Sequence, residues 1–263
     1  MTMTYLITGA SDGIGLETAR LAVASGAAVL MVARDATKLQ AAADTLTGAL
    51  RPEIAAVDLS DADALGAFIA GLDARGVVPD VLVNNAGHGA SGAFADADWN
   101  KLDAMLRLNV TALARLNHWA AIRMKARGHG AIVNLSAAVA TRPTPYFAAY
   151  AASKAFVTNL SLAMSSELSG SGVHVAAIHP PAVRTSFASA GKADLASTLV
   201  LKLFPSVSPV TVARAVMNAA RRRRRSVIVG PIAGIVMGTA PIMPRGLDLA
   251  FMTLLFKGKR GAA

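Results

Sequence analysis

Short apolar runs return along this chain at intervals that leave room for one helix between each pair. "TYLIT" (4–8), "AVLMVA" (28–33), "IAAV" (54–57), "DVLVN" (80–84), "AIVNL" (131–135), "VHVAAI" (173–178) and "SVIVG" (226–230) read as strands. Their nearly continuous apolarity is what a parallel sheet needs when helices cover both faces. Ala- and Leu-rich helical patterns fall between them, from about Gly13 to Ser25, from Ala36 to Thr47 and, longest, from Trp99 to Arg127. Repeated β-α units with right-handed crossovers predict an α/β fold, a doubly wound parallel sheet of about seven strands. No solenoid repeat or low-complexity linker interrupts it. The expected organisation is one domain over 1–230, with a substrate lid at about 186–209, and a basic, apolar extension over 231–263.

"TGASDGIG" (8–15) follows the first strand and opens the first helix. Gly9, Gly13 and Gly15 permit a tight turn and let backbone N–H groups approach a pyrophosphate at the helix N-terminus. Ser11, Asp12 and Ile14 share the turn and count as candidate cofactor contacts. The sheet is therefore expected to be Rossmann-like and to bind a dinucleotide. "VARD" puts Arg34 at the end of the second strand, where arginine suits a 2′-phosphate and an acidic residue would suit a 2′-hydroxyl. NADP(H) is thus favoured over NAD(H). Asp35 follows and either repels a phosphate or serves as a helix cap.

With "TGASDGIG", "NNAG" (84–87), "LNV" (108–110) and "YAASK" (150–154) in this order, the chain resembles the short-chain dehydrogenase/reductase family over roughly residues 4–230. The resemblance implies adenine-side contacts from Asp58, Leu59, Asn85, Ala86 and Gly87. It implies nicotinamide-side contacts from Pro180, Val183 and Thr185, and an Asn109 that anchors a water linking Lys154 to solvent.

The chemistry also follows from the residues. Reducing a carbonyl requires a proton for the developing alkoxide, and a free tyrosine, with a pKa of about 10, gives up its proton poorly near neutrality. Tyr150 and Lys154 stand at i and i+4, on one face of a helix. An ammonium there is expected to lower the tyrosine pKa, making Tyr150 the general acid or base and Lys154 its tuner and a ribose ligand.

The serine is less well placed. The family pattern ends this strand in N-x-S-S, whereas "NLSA" offers Ser136 and then Ala137. Ser136 is carried as the catalytic serine, although a one-residue shift along a strand turns a side chain to the opposite face. A bulge that re-aims Ser136, a divergent or inactivated member, or another donor (Thr141, Tyr146 or His88) remain open. Pro181, in "HPPAV" where the family has Pro-Gly, lacks a backbone N–H near the expected nicotinamide site.

The lid segment is apolar, so the expected substrate is a small apolar ketone, aldehyde or alcohol. The chain has no cysteine, which excludes disulfides and thiolate metal sites, and no metal site is expected. Residues 219–263 carry 9 basic residues and 1 acidic residue, and Val227–Met243 is uncharged but broken by Pro231 and Pro241. A final strand and a helix packed on a neighbour or partner subunit are expected there. Peripheral attachment to an anionic membrane is the alternative. Nucleic acid is not expected, because no aromatic residues interleave the arginines. With no basic, apolar leader at the N-terminus, a cytoplasmic location is expected, membrane-associated under that alternative. By resemblance the chain forms a homodimer or homotetramer through the helices around 99–127 and 150–169.

Overall fold

The computed structural model describes residues 2–183 and 206–256. Seven strands, β1 (Thr4–Thr8), β2 (Ala28–Ala33), β3 (Glu53–Ala56), β4 (Val81–Asn84), β5 (Gly130–Leu135), β6 (Val173–His179) and β7 (Ser226–Ile228), form one parallel sheet in the order β3-β2-β1-β4-β5-β6-β7. Each apolar run became a strand because alternate residues feed separate hydrophobic layers. Ile7, Met31, Val83 and Val133 pack with helices α1 (Gly13–Ala24), α2 (Ala36–Asp44) and α7 (Pro209–Arg222) on one face. Leu6, Val32, Leu82 and Ile132 pack on the other with α3 (Ala62–Ala74), α5 (Leu113–Arg127) and the end of α6 (Ala148–Glu167). This is the doubly wound, Rossmann-like arrangement the sequence predicts.

Aspartates start many of these helices by accepting backbone N–H groups that the first turn leaves unpaired. Asp12 caps α1, Asp35 caps α2, Asp61 caps α3, and Asp98 caps α4 (Trp99–Leu106). The single long helix expected over 99–127 is not one regular helix. A π-helical turn, Arg107–Ala112, separates α4 from α5. Such turns widen a helix locally and re-aim its side chains, and this one holds Asn109.

Beyond β7 the chain turns back. Gly230, at φ +83°, ends the strand two residues earlier than its apolar run suggests and leads into α8 (Pro231–Thr239) and α9 (Arg245–Phe256). Most of the expected lid, and Thr185, lie outside the described residues.

Candidate active site

β1 pairs with β2 on one side and β4 on the other, so consecutive connections leave the sheet in opposite directions there. A crevice forms at such a switch point, outside the carboxyl ends of the strands. The glycine turn lies in it. Gly9 has φ +65° and Gly13 φ +56°, values that side chains other than glycine rarely adopt. Gly15 packs so tightly that a Cβ there would strike the Gly9 carbonyl and the Asn85 amide. Asn85 fastens the turn to the end of β4, donating from Nδ2 to the carbonyls of Thr8 (2.9 Å) and Gly9 (3.1 Å). The Thr8 hydroxyl accepts from the Asn85 and Ala86 amides. Asp12 accepts from Gly13 N, and Ser11 and Ile14 lie in the same turn.

At the end of β2, Arg34 leaves 77% of its side chain exposed and reaches Asp58 only at 3.9 Å. Asp35 is committed as the α2 cap, accepting from Lys38 N at 3.0 Å. Burial acts to raise the Asp58 pKa. Hydrogen bonds from the Ser60 hydroxyl and amide, helped by Arg34, outweigh it and hold the carboxylate below its ordinary value. Leu59 is buried beside it in the second hydrophobic layer.

The catalytic candidates converge at the start of α6. Asn109, fully buried, accepts from His88 N through Oδ1, and its Nδ2 donates to the His88 carbonyl (3.0 Å) and the Ser153 hydroxyl (3.2 Å). Ser153 in turn donates to the Tyr150 carbonyl at 2.7 Å. Lys154 Nζ donates to the Leu135 carbonyl at 2.8 Å and lies 5.9 Å from the Tyr150 ring centroid. A Cβ on Gly87 would meet Asn109 Oδ1 at 2.9 Å and Lys154 Nζ at 3.5 Å, so glycine keeps the backbone close to both. Burial lowers the Lys154 pKa to about 8 and pushes the Tyr150 phenol above its ordinary value. Lys154 Nζ thus holds a backbone carbonyl, is desolvated, and still lies within reach of the Tyr150 ring.

Ser136 requires a correction. Its hydroxyl donates to the Lys154 carbonyl at 2.9 Å and shares a 2.7 Å hydrogen bond with Thr158, so it is turned into the body of α6. The strand runs regularly here, with Ser136 N bonded to Ile178 O and Ala138 N to Pro180 O, and Ala137 extended at φ −158° and ψ 158°. No bulge re-aims the side chain. Of the other donors considered, the Thr141 hydroxyl donates to the Ala138 carbonyl, and Tyr146 (φ +63°) packs against the C-terminal helix. Burial, with the charge of Arg34, lowers the His88 pKa. Val183 forms an isolated bridge with Val207.

Several residues in this region carried no sequence expectation. Asn84 Nδ2 donates to Asn134 Oδ1 (2.9 Å) and Asn117 Oδ1 (3.2 Å), and Asn134 donates to Ser161, a buried polar ladder joining β4, β5, α5 and α6. The visible signal was an asparagine inside each of two otherwise apolar strands. Phe147, three residues before Tyr150, makes edge-on ring contacts with Tyr150 (6.5 Å) and with Phe256 of α9 (5.4 Å). Arg142 donates to Val236 O (2.6 Å) and Thr239 Oγ1 (2.8 Å), so α8 is fastened to the segment leading into α6. Among the described residues no cluster of His, Cys, Asp or Glu could hold a metal ion, and no helix is long and apolar enough to cross a membrane.

Comparison with known proteins agrees with this geometry. The profile of the family described as short chain dehydrogenase matches residues 3–196. The chain is 32% identical over 257 residues to the probable oxidoreductase EphD of Mycobacterium tuberculosis, covering 92% of this chain and 43% of that protein. It therefore spans less than half the length of that relative. Among solved structures, a short-chain dehydrogenase from Sphingobium yanoikuyae in complex with NADPH is 32% identical and superposes with a TM-score of 0.79, covering 99% of this chain and 98% of that one. A 3-ketoacyl-(acyl-carrier-protein) reductase from Brucella melitensis, complexed with NADH, is 25% identical with a TM-score of 0.75, covering 86% and 96%.

Proposed function

The chain belongs to the short-chain dehydrogenase family, and from that premise we propose that it interconverts an apolar ketone or aldehyde and its alcohol, using NADP(H) in preference to NAD(H). The observation that carries the reading is the cluster of Asn109, Ser153, Tyr150 and Lys154 against Gly87, opposite a glycine turn with no room for a Cβ at Gly15. Gly9, Gly13 and Gly15 would hold the pyrophosphate, Asp58 and Ala86 the adenosine, and Lys154 the ribose hydroxyls. A bound dihydronicotinamide supplies the hydride.

In the reduction Tyr150 delivers its proton to the developing alkoxide. Asn109 holds the π turn, His88 and Ser153 in one hydrogen-bonded unit, which orients the first turn of α6 and with it Tyr150. Lys154, with a pKa near 8, is mainly an ammonium at neutral pH and places a positive charge beside the ring. The preference for NADP(H) rests on Arg34, which is exposed at the β2 edge while the neighbouring acid is occupied as a cap. The Sphingobium relative with NADPH supports that preference, and the Brucella relative with NADH does not.

A second reading has its own observation. Ala137 offers no hydroxyl where the family pattern has its second serine, and Ser136 is committed to α6. On this reading the chain binds the dinucleotide but turns over slowly, since losing one such donor costs on the order of 10²–10³ in rate. The test is calorimetric titration with NADPH and NADH, followed by NADPH oxidation with a panel of apolar ketones and aldehydes. Binding with turnover supports the first reading and binding without turnover the second. Absence of binding removes both.

A further inference from the structure

Helix α6 starts differently from most helices of this chain. Aspartates cap α1, α2, α3 and α4, and Ser208 caps α7. The N-cap of α6 is Phe147, whose side chain has no acceptor to offer and makes no cap bond. Tyr150 nevertheless stands in the first turn of this helix, and helix ends fray unless something holds them.

Phe147 supplies ring contacts in place of a cap. Its ring is edge-on to Tyr150, at 6.5 Å with 67° between the planes, and edge-on to Phe256 of α9, at 5.4 Å and 68°. Both arrangements bring the positive edge of one aromatic ring to the negative face of another. The backbone just before Phe147 is strained. Tyr146 has φ +63°, a conformation that an aromatic residue keeps only where its surroundings impose it. Its carbonyl accepts from Gly92 N at 2.8 Å, and its side chain packs with Phe147 against Met252, Leu255 and Phe256 of α9. Four residues earlier, buried Arg142 pairs with Asp248 of the same helix at 2.9 Å. Helix α9 thus grips the approach to α6 at two points, and Phe256 lies one ring away from Tyr150. All of α9 falls outside residues 3–196, the span that the family profile matches.

We propose that α9 is a positioning element of the candidate active site, in which Phe256 acts through Phe147 to fix the Tyr150 ring. The inference rests on the role given to Tyr150 above. Neither phenylalanine can exchange a proton, so their part is to hold the phenol in line with the reacting oxygen, where a misplacement of about 1 Å costs on the order of 10²-fold in rate.

The test is a double-variant cycle on the whole chain, Phe147→Leu, Phe256→Leu and the two together, read by NMR of carbon-13-labelled tyrosine rings. The chain has three tyrosines, and Tyr150→Phe identifies the Tyr150 signal. Phe256→Leu is expected to shift that signal while Tyr5, on β1, stays in place. The same change made in the Phe147→Leu chain is expected to shift it no further, because the relay is already cut. Phe256→Met takes the place of Phe256→Leu if that variant does not fold. An unmoved Tyr150 signal in Phe256→Leu, or an additive shift in the double variant, overturns the proposal. No cofactor or substrate enters this measurement, so its outcome is separable from that of the reaction proposed above. With turnover, Phe256→Leu is expected to lower kcat by about 10-fold and to leave the KM for NADPH unchanged. An unchanged kcat, or a change confined to KM, also overturns the proposal. Without turnover the proposed reaction fails, and the ring signals alone decide the positioning.

Discussion

The Asp248 carboxylate of α9 lies 2.9 Å from the Arg142 guanidinium, with both side chains almost wholly buried. The contact is an ion pair whose angle falls outside hydrogen-bond geometry, since Asp248 Oδ1 makes no hydrogen bond. Arg142 also holds α8 through Val236 and Thr239, and it stands eight residues ahead of Tyr150. Asp248→Leu therefore leaves a buried cation unpaired, at a cost of about 3–5 kcal/mol. Denaturant titration is expected to show that loss, and Arg142→Met/Asp248→Leu is expected to recover most of it, because an apolar pair of similar volume carries no desolvation penalty. A double variant as unstable as the single one would show that the pair matters for more than its charge.

On the second reading, Ser136 and Ala137 separate structure from chemistry at adjacent positions. Removing the Ser136 hydroxyl breaks its bonds to Lys154 O and Thr158. Ser136→Ala is thus expected to lower stability by about 1 kcal/mol with little direct effect on the chemical step. Ala137→Ser is expected to leave stability nearly unchanged and to raise turnover on the order of 10²-fold. Parallel melting curves and NADPH-oxidation rates check both. The reverse pattern would place the working hydroxyl at Ser136.

What the sequence made legible depended on local pattern. Burial on both faces of the sheet leaves continuous apolar runs, so the strands could be found to within a few residues, and the i, i+4 spacing of Tyr150 and Lys154 could be read directly. The π turn at Arg107–Ala112 could not, because "RLNVTA" contains no residue type that demands i→i+5 bonding. The Asn84–Asn134 bond depends on the register of two strands, and the Arg142–Asp248 pair on a return of the chain across the sheet edge. The asparagines were visible inside their apolar strands, but neither partner could be assigned from its own position. For Ser136 the alternation rule and the catalytic assignment pointed in different directions, and its hydroxyl is bonded into α6, as alternation along a regular strand implies.

On the reading proposed above, cofactor choice turns on Arg34. Its guanidinium is exposed and its ion pair with Asp58 is long, so Arg34→Ala is expected to cost little stability. A charge-assisted bond to a phosphate is worth about 1.5–3 kcal/mol. Calorimetry is therefore expected to show NADPH affinity falling by about 10- to 100-fold with NADH affinity nearly unchanged. Equal losses for both dinucleotides would mean that Arg34 stacks on the adenine without reading the 2′ position.

Lys154 links the site to pH through its depressed pKa. Burial brings it to about 8 from an ordinary 10.5, so between those values the unfolded chain holds a proton that the folded chain has released. The contribution of Lys154 to stability therefore rises with pH across that window. Below about pH 8 both states are protonated and the penalty of a desolvated ammonium is fully present; by pH 10.5 it has gone. Lys154→Met removes that penalty at every pH but also removes the bond to the Leu135 carbonyl, a loss that does not vary with pH. The measurement is the difference in melting temperature, variant minus parent, at intervals from pH 7 to 10. It is expected to fall steadily above pH 8, whatever its sign at pH 7. A difference that stays flat would mean that Lys154 keeps its proton in the folded chain, and with it a permanent positive charge beside Tyr150.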